Sequence, residues 1–200
     1  MKSESQPKRG RGRPRAFDVE AALSSAATVF HAKGFDATSL DDLSDATGLT
    51  RPSLYAAFGD KEAFYLAALR QVTADMEAHL AEAVAAPGTL EDSLRRFYSA
   101  AIARYAEGPA GACGCIIMTT GVARAPNSEA VQSYVALVLK GLDEAISQLY
   151  AKKYKGAAAE RKSKELLAVS TLQTLSIRAR AGAQRPALES IVEAVLPALV

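Results

Sequence analysis

Two groups of residues in this chain are of types that can do chemistry. Cys113-Gly114-Cys115 puts two thiols one residue apart, a spacing suited to metal ligation or thiol oxidation. Zinc needs about four ligands. The other candidates, His31 and His79, are remote in sequence and lack ligand-like spacing, so no metal site is expected. A cysteine pair beside a flexible glycine break is a candidate sensor of oxidants or electrophiles. The plainer alternative is two small buried apolar residues, the usual state of free cysteine. The second group is a basic arm. Lys2, Lys8, Arg9, Arg11, Arg13 and Arg15 face only Glu4 in residues 1–15, a net of +5. Residues 16–200 carry 18 bases against 21 acids, a net of −3. The overall +2 therefore hides a basic end on a mildly acidic body, which points to a polyanionic partner. Enzyme chemistry finds little footing. There is no Gly-rich phosphate loop, no nucleophile elbow and no HExxH, and no cofactor is called for. With two histidines, acid–base work would fall to carboxylates, most of which sit at helix caps or on polar faces.

The elements that would position these residues read as helices throughout. The chain has 200 residues, 49% of them hydrophobic, enough for a core without disulfide staples. No apolar run approaches the roughly 20 residues that span a bilayer. The N-terminus has charge but no apolar segment of a secretory signal. With its two cysteines one residue apart, a reducing cytoplasm is the expected compartment and no membrane partner is expected. Residues 1–16 are rich in Pro, Gly, Ser and base and are expected to be disordered when free. Asp18 is a good N-cap, and Val19, Leu23, Ala26 and Phe30 then follow at helical spacing until Gly34. Thr38 or Ser39, with Asp41 or Asp42, forms a capping box for a second short helix ending at Gly48. Thr50 caps a third helix of about eight residues, with Pro52 tolerated in its first turn. Asp60 caps a long fourth helix, and Pro87-Gly88 breaks it. Five further helical segments, divided at Gly108–Gly111, Pro126, Gly156 and Gly182, bring the expected number to nine.

Residues 39–58 are the sharpest local signal. Two short helices joined by a tight turn at Gly48 match a helix-turn-helix. Small Ser44 allows the helices to approach, and Leu43, Leu49 and Leu54 fill the core between them. The same spacing also fits an αα-hairpin inside a structural bundle.

Residues 18–69 resemble the N-terminal domain of the TetR family of transcriptional regulators. The resemblance rests on Ala26-Ala27, Phe30, Gly34-Phe35, Thr38-Ser39, Gly48-Leu49-Thr50-Arg51, Leu54-Tyr55, Phe58 and Lys61-Glu62. Further on, Gly114-Cys115-Ile116 and Arg178-Ala179-Arg180-Ala181-Gly182-Ala183 resemble a subset of members. The resemblance implies an all-α protein. A disordered basic arm over 1–16 would precede a helix-turn-helix DNA-binding domain over 17–62. An effector-binding and dimerisation domain over 63–200 would follow. It implies that Thr50, Arg51, Pro52 and Ser53 approach base edges in the major groove, with Arg51 suited to guanine. Tyr55, Lys61 and the Thr38 hydroxyl would hold phosphates. For Tyr55 the alternative is a core aromatic, and for Lys61 a solvated charge. Many relatives carry His where this chain has Ala57, which removes one contact. The acidic face of the second helix, Asp41, Asp42 and Asp45, is expected to point away from DNA. Arg11-Gly12-Arg13-Pro14-Arg15 resembles the core of an AT-hook, a thin segment for the minor groove of A·T-rich DNA. A non-specific basic tail is the alternative.

The resemblance further implies a homodimer on a palindromic operator in double-stranded DNA, released by a small-molecule effector. Leu188, Ile191, Val192, Val195, Leu196 and Leu199 cover more of the last helix than one buried stripe needs. The dimer interface is therefore expected at Leu188, Ile191, Val192, Val195 and Leu199, with burial inside one chain as the alternative. Phe97, Tyr98, Ile102, Tyr105, Ile116, Met118, Tyr134 and Leu137 are candidates for an effector pocket, with Thr119, Thr120 or Gln173 as polar contacts. The mix suits an uncharged or largely apolar ligand. The expected function is a ligand-responsive regulator, most simply a repressor. A non-specific architectural DNA binder is the rival.

Overall fold

The computed structural model describes residues 17–107 and 114–200. Within them the chain is helical, with no strand. The elements are α1 (Val19–Lys33), α2 (Leu40–Thr47), α3 (Arg51–Phe58), α4 (Lys61–Ala85), α5 (Leu90–Glu107), α6 (Val122–Arg124), α7 (Glu129–Lys153), α8 (Ala158–Arg180) and α9 (Arg185–Leu199). The basic arm and Cys113 lie outside the described residues.

Side-chain oxygens start α1, α4 and α7. Asp18 accepts from the N–H groups of Glu20 and Ala21 at 2.9 and 3.2 Å. Asp60 accepts from Ala63 at 2.8 Å and Ser128 from Val131 at 3.2 Å. Each satisfies donors that the first turn leaves unpaired.

The approach to α6 is less regular than a plain helix. Residues Ile117–Gly121 form a π-type turn, and Ala125–Asn127 form a 3₁₀ turn before α7. The Gly121 N–H donates back five residues to the Ile116 carbonyl at 2.9 Å. The Thr119 and Thr120 hydroxyls donate to the Cys115 and Ile116 carbonyls. These bonds occupy carbonyls at the start of the segment and hold it wide.

The core has two parts linked by α4. Near the N-terminus, α1 packs on α2 and α4 and buries Phe30, Leu43, Leu54, Phe64 and Tyr65. Toward the C-terminus, α5, α7, α8 and α9 bury Leu94, Tyr98, Ile146, Leu149, Tyr150 and Leu175. Because α4 is continuous from Lys61 to Ala85, a division at residue 62 passes through its first turn.

The last helix differs from expectation. Leu188, Val192 and Leu199 are buried inside the chain, where α9 packs on α5 and α8, so the interface assigned to them is corrected. Ile191 and Val195 are half-buried. The outward apolar residues of this region belong instead to α8: Leu166, Leu167 and Ile177.

Gly114 marks a close approach. Its φ is 71°, and a Cβ there would lie 2.3 Å from the Ser176 carbonyl oxygen of α8. The next N–H, of Cys115, donates to Ser176 Oγ at 2.8 Å. Gly114→Ala is expected to cost on the order of 3 kcal/mol through clash and backbone strain. Thermal unfolding measures this, and a loss below about 0.5 kcal/mol, the range of ordinary surface changes, would contradict it.

Candidate nucleic-acid interface

The helix-turn-helix is assembled by local rules. Ser39 accepts from the Asp42 N–H at 3.1 Å, and Asp42 accepts from the Ser39 N–H at 2.9 Å, closing the capping box of α2. Gly48 ends α2 with φ 68°, which favours glycine. Leu43 and Leu54 are buried across the turn and Leu49 packs beside them. Ser44 Oγ is buried with no partner among the described residues, a polar cost carried at a position whose small side chain permits close helix contact. Thr50 accepts from the Ser53 N–H at 3.4 Å, and their hydroxyls bond at 2.9 Å. Thr50, Arg51 and Pro52 are exposed at the start of α3, and Ser53 is half-buried. Tyr55 is 51% exposed, which removes the core-aromatic alternative.

Two expected phosphate contacts are placed otherwise. Thr38 is 1% exposed, and its hydroxyl donates to the Gly34 carbonyl at 2.6 Å, so it closes the α1–α2 turn instead. Lys61 is half-buried, with its ammonium folded back to 4.5 Å from the Phe35 ring centroid. Burial lowers its pKa.

Ion pairs decorate α2 in a way the sequence did not announce. Arg51 donates through Nε to Asp41 Oδ1 at 2.7 Å and through Nη2 to Asp41 Oδ2. The acidic residues of α2 thus reach the exposed start of α3 at Asp41. Lys33 Nζ lies 2.6 Å from Asp42 Oδ1.

Behind this unit, a polar junction ties it to the rest of the molecule. Arg124 donates to Glu62 at 2.9 Å, pairs with Asp36 at 3.4 Å and lies 4.3 Å over the Phe35 ring. Ser128 donates to the other Glu62 oxygen at 2.9 Å. The Arg124 bond, more than that of Ser128, holds the Glu62 carboxyl below its ordinary pKa. Arg180 of α8 donates to the carbonyls of His31 and Ala32 at 2.6 and 3.4 Å, capping the C-terminus of α1. A cleft of about 450 Å³ opens between these groups.

The expected pocket residues separate. Phe97 and Tyr105 line a cavity of about 590 Å³ between α4, α5 and α7, with Thr73, Met76, Leu142 and Leu172. Small residues make the room: Ala81, Ala100, Ala103, Gly141 and Ala145. Tyr98 and Ile102 are core instead, and the Tyr98 hydroxyl donates to the Ala168 carbonyl at 2.9 Å. Ile116 faces a smaller cavity of about 240 Å³ with Cys115, and Thr119 and Thr120 line the 450 Å³ cleft. Tyr134 is half-buried and bonded to the Thr73 hydroxyl. Met118 and Gln173 are half-buried and line none of these three cavities. Leu137 is exposed, so it is no lining residue. Cys115 is buried, its Sγ lies 3.9 Å from Met76 Sδ, and burial pushes its thiol pKa up. That environment keeps the thiol protonated and favours the packing reading of this cysteine.

Comparison with known proteins bears on all of this. The family model of bacterial regulatory proteins, tetR family, matches residues 22–68. The HTH-type transcriptional repressor BdcR of Escherichia coli (strain K12) is 36% identical over 107 residues, 54% of this chain and 54% of that protein. The HTH-type transcriptional repressor ComR of the same organism is 36% identical over 122 residues, 60% of this chain and 58% of that protein. The chain thus spans little more than half the length of these curated relatives. A solved structure of the TetR family transcriptional regulator CifR, a cysteine mutant complexed with 26bp double-strand operator DNA, aligns with TM-score 0.81. It is 26% identical, with 94% of this chain and 100% of that chain covered.

The capping box carries a pH dependence. The Lys33 ammonium, then the Ser39 N–H, lower the Asp42 pKa from 3.8 to about 2. The folded carboxylate is the favoured form, so its contribution is complete above 3.8 and lost as pH falls through about 2. Asp42→Asn is expected to flatten the fall of stability across that acid window. Thermal unfolding at a series of pH values checks this; an unchanged pH profile would contradict it.

Proposed function

We propose that this chain, whose residues 22–68 match the family model of bacterial regulatory proteins, tetR family, is a transcriptional repressor that binds a palindromic operator as a dimer and is released by a small effector. One observation carries the reading. The start of α3 stands exposed, with Arg51, Pro52 and Tyr55 outward, on a unit whose opposite side is locked by Leu43, Leu54 and Phe30. A rigid helix end with a guanidinium and a phenol suits base edges and phosphates in a major groove. CifR, similar over nearly the whole chain, has been solved on operator DNA, which supports the same use of this face.

In this proposal the basic arm reaches the neighbouring minor groove through Arg11, Arg13 and Arg15. The dimer forms through the outer face of α8, where Leu166 and Ile177 are 68% and 60% exposed, with Ile191 and Val195 of α9 at its edge. Exposed apolar residues concentrated on one helix favour a covering partner, and a two-fold related copy is the simplest. The effector enters the 590 Å³ cavity and is largely apolar, matching Phe97, Leu142, Val138 and Leu172. Coupling runs along α4, which lines that cavity at Thr73, Met76 and Glu77 and begins beside the Arg124–Glu62 junction. A ligand that prefers a shifted α4 lowers the population of the DNA-competent geometry by its differential affinity alone.

Footprinting on the promoter beside its own gene tests the proposal. One discrete palindromic site, lost in Arg51→Ala and vacated by an apolar effector, is expected. Diffuse protection without a site would favour a non-specific architectural binder. Deleting residues 1–15 is expected to weaken operator binding and flatten its salt dependence; unchanged affinity and slope would remove the arm from the interface. A stable monomer by light scattering at micromolar concentration would refute the dimer.

A further inference from the structure

The bidentate contact between Asp41 and Arg51 does more than decorate the surface. Asp41 is the second residue of α2 and Arg51 the first of α3, so the pair spans the turn of the helix-turn-helix. Asp41 takes the Nε–H of Arg51 at 2.7 Å and an N–H of Nη2. A guanidinium carries five N–H groups in a planar fork. Asp41 therefore occupies its side edge, Nε with Nη2, and leaves the terminal edge, Nη1 with Nη2, open. Both side chains are well exposed, so that terminal edge is accessible. Two parallel N–H donors on one edge match the O6 and N7 acceptors of guanine.

We propose that Asp41 is a specificity-determining residue: it holds Arg51 so that the free edge of its fork reads one guanine of the operator. The inference rests on the DNA-reading function proposed above. Two effects follow from the geometry. Holding a long side chain before binding removes part of the ordering cost at the moment of contact. The carboxylate also places a negative charge beside the DNA backbone, which penalises sequences that do not repay it through the guanine contact. Asp41 is thus a positioning residue acting through Arg51. Lys33 holds Asp42 at 2.6 Å, and so keeps the neighbouring carboxylate from competing for the same guanidinium.

Selection from a randomised double-stranded DNA library, with full-length wild type, Asp41→Ala, Asp41→Asn, Arg51→Ala and the double variant Asp41→Ala/Arg51→Ala, tests this. Wild type is expected to enrich a site with a strong guanine preference at one position per half-site. Arg51→Ala should abolish that preference. Asp41→Ala should lower it by about fivefold, the size of losing one pre-ordered side chain, while binding to random-sequence duplex is kept or tightened. The double variant should lose no more than Arg51→Ala, and Asp41→Asn, which keeps the shape without the charge, should fall between wild type and Asp41→Ala. A guanine preference that survives Asp41→Ala, or a loss additive with that of Arg51→Ala, overturns the role of Asp41 alone. Tighter binding to every sequence by Asp41→Ala with its base preference intact also overturns it, and makes Asp41 a plain inhibitor of DNA contact. A wild-type protein that enriches no site overturns the DNA reading and this inference with it.

Discussion

The arrangement of this molecule depends on the contact of Phe35 with its neighbours. The ring stacks on Phe30 at 6.2 Å, meets Tyr65 in a tilted contact at 5.2 Å, and is flanked by Lys61 and Arg124. It sits just after α1, against the first turns of α4 and the end of α6. Aromatic burial provides non-directional attraction, and the two cations add electrostatic contacts to the ring. The Tyr65 hydroxyl then reaches Thr120 in the π-type turn at 2.8 Å. Three segments distant in sequence are therefore pinned at one point, and the orientation of α2 and α3 relative to the body follows from it.

Around that point polar groups connect helices that are distant in sequence. Glu62 is shared by Arg124 and Ser128, and Ser128 is itself the N-cap of α7. Arg180 lends its guanidinium from α8 to the end of α1. Exposed ion pairs contribute little to stability. Their geometry nonetheless links the end of α1 and the start of α4 to elements that enclose the cleft and adjoin the cavity. In the proposed function such shared partners would carry a displacement of the body to the helix-turn-helix without a long chain of intermediates.

The cavity shows a different economy. Alanines and Gly141 line it where a regular core would place leucines, while Phe97, Tyr105 and Leu172 supply apolar walls. Space of this kind forgoes dispersion contacts that a filled core would gain. In the proposed function a ligand would recover them, so the cost of the void in the free protein would become part of the affinity for an effector.

The helices and their ends were legible because their signals are local. Asp18, Ser39, Thr50, Asp60 and Ser128 act on N–H groups within three residues, and Gly48 meets a backbone need of its own position. Apolar spacing likewise identified Leu43, Leu49 and Leu54 as the small core of the helix-turn-helix. Partners across elements were not legible. Periodicity showed that Leu188, Val192 and Leu199 share a face, but only packing against α5 and α8 decided that the face is internal. Thr38 has the same sequence neighbours whether its hydroxyl meets a phosphate or the Gly34 carbonyl. Arg51 meets Asp41 because α2 and α3 bring them together across the turn, and Phe97 and Tyr105 meet a cavity where Tyr98 and Ile102 meet core because of how α4, α5 and α7 pack. The sequence by itself determined most of the helices, the caps that start α1 to α4, and that one pair forms a turn suited to DNA, but not the π-type turn that precedes the short α6. The tertiary structure decided which side chains remain available to a partner, since availability depends on what the neighbouring elements have already covered.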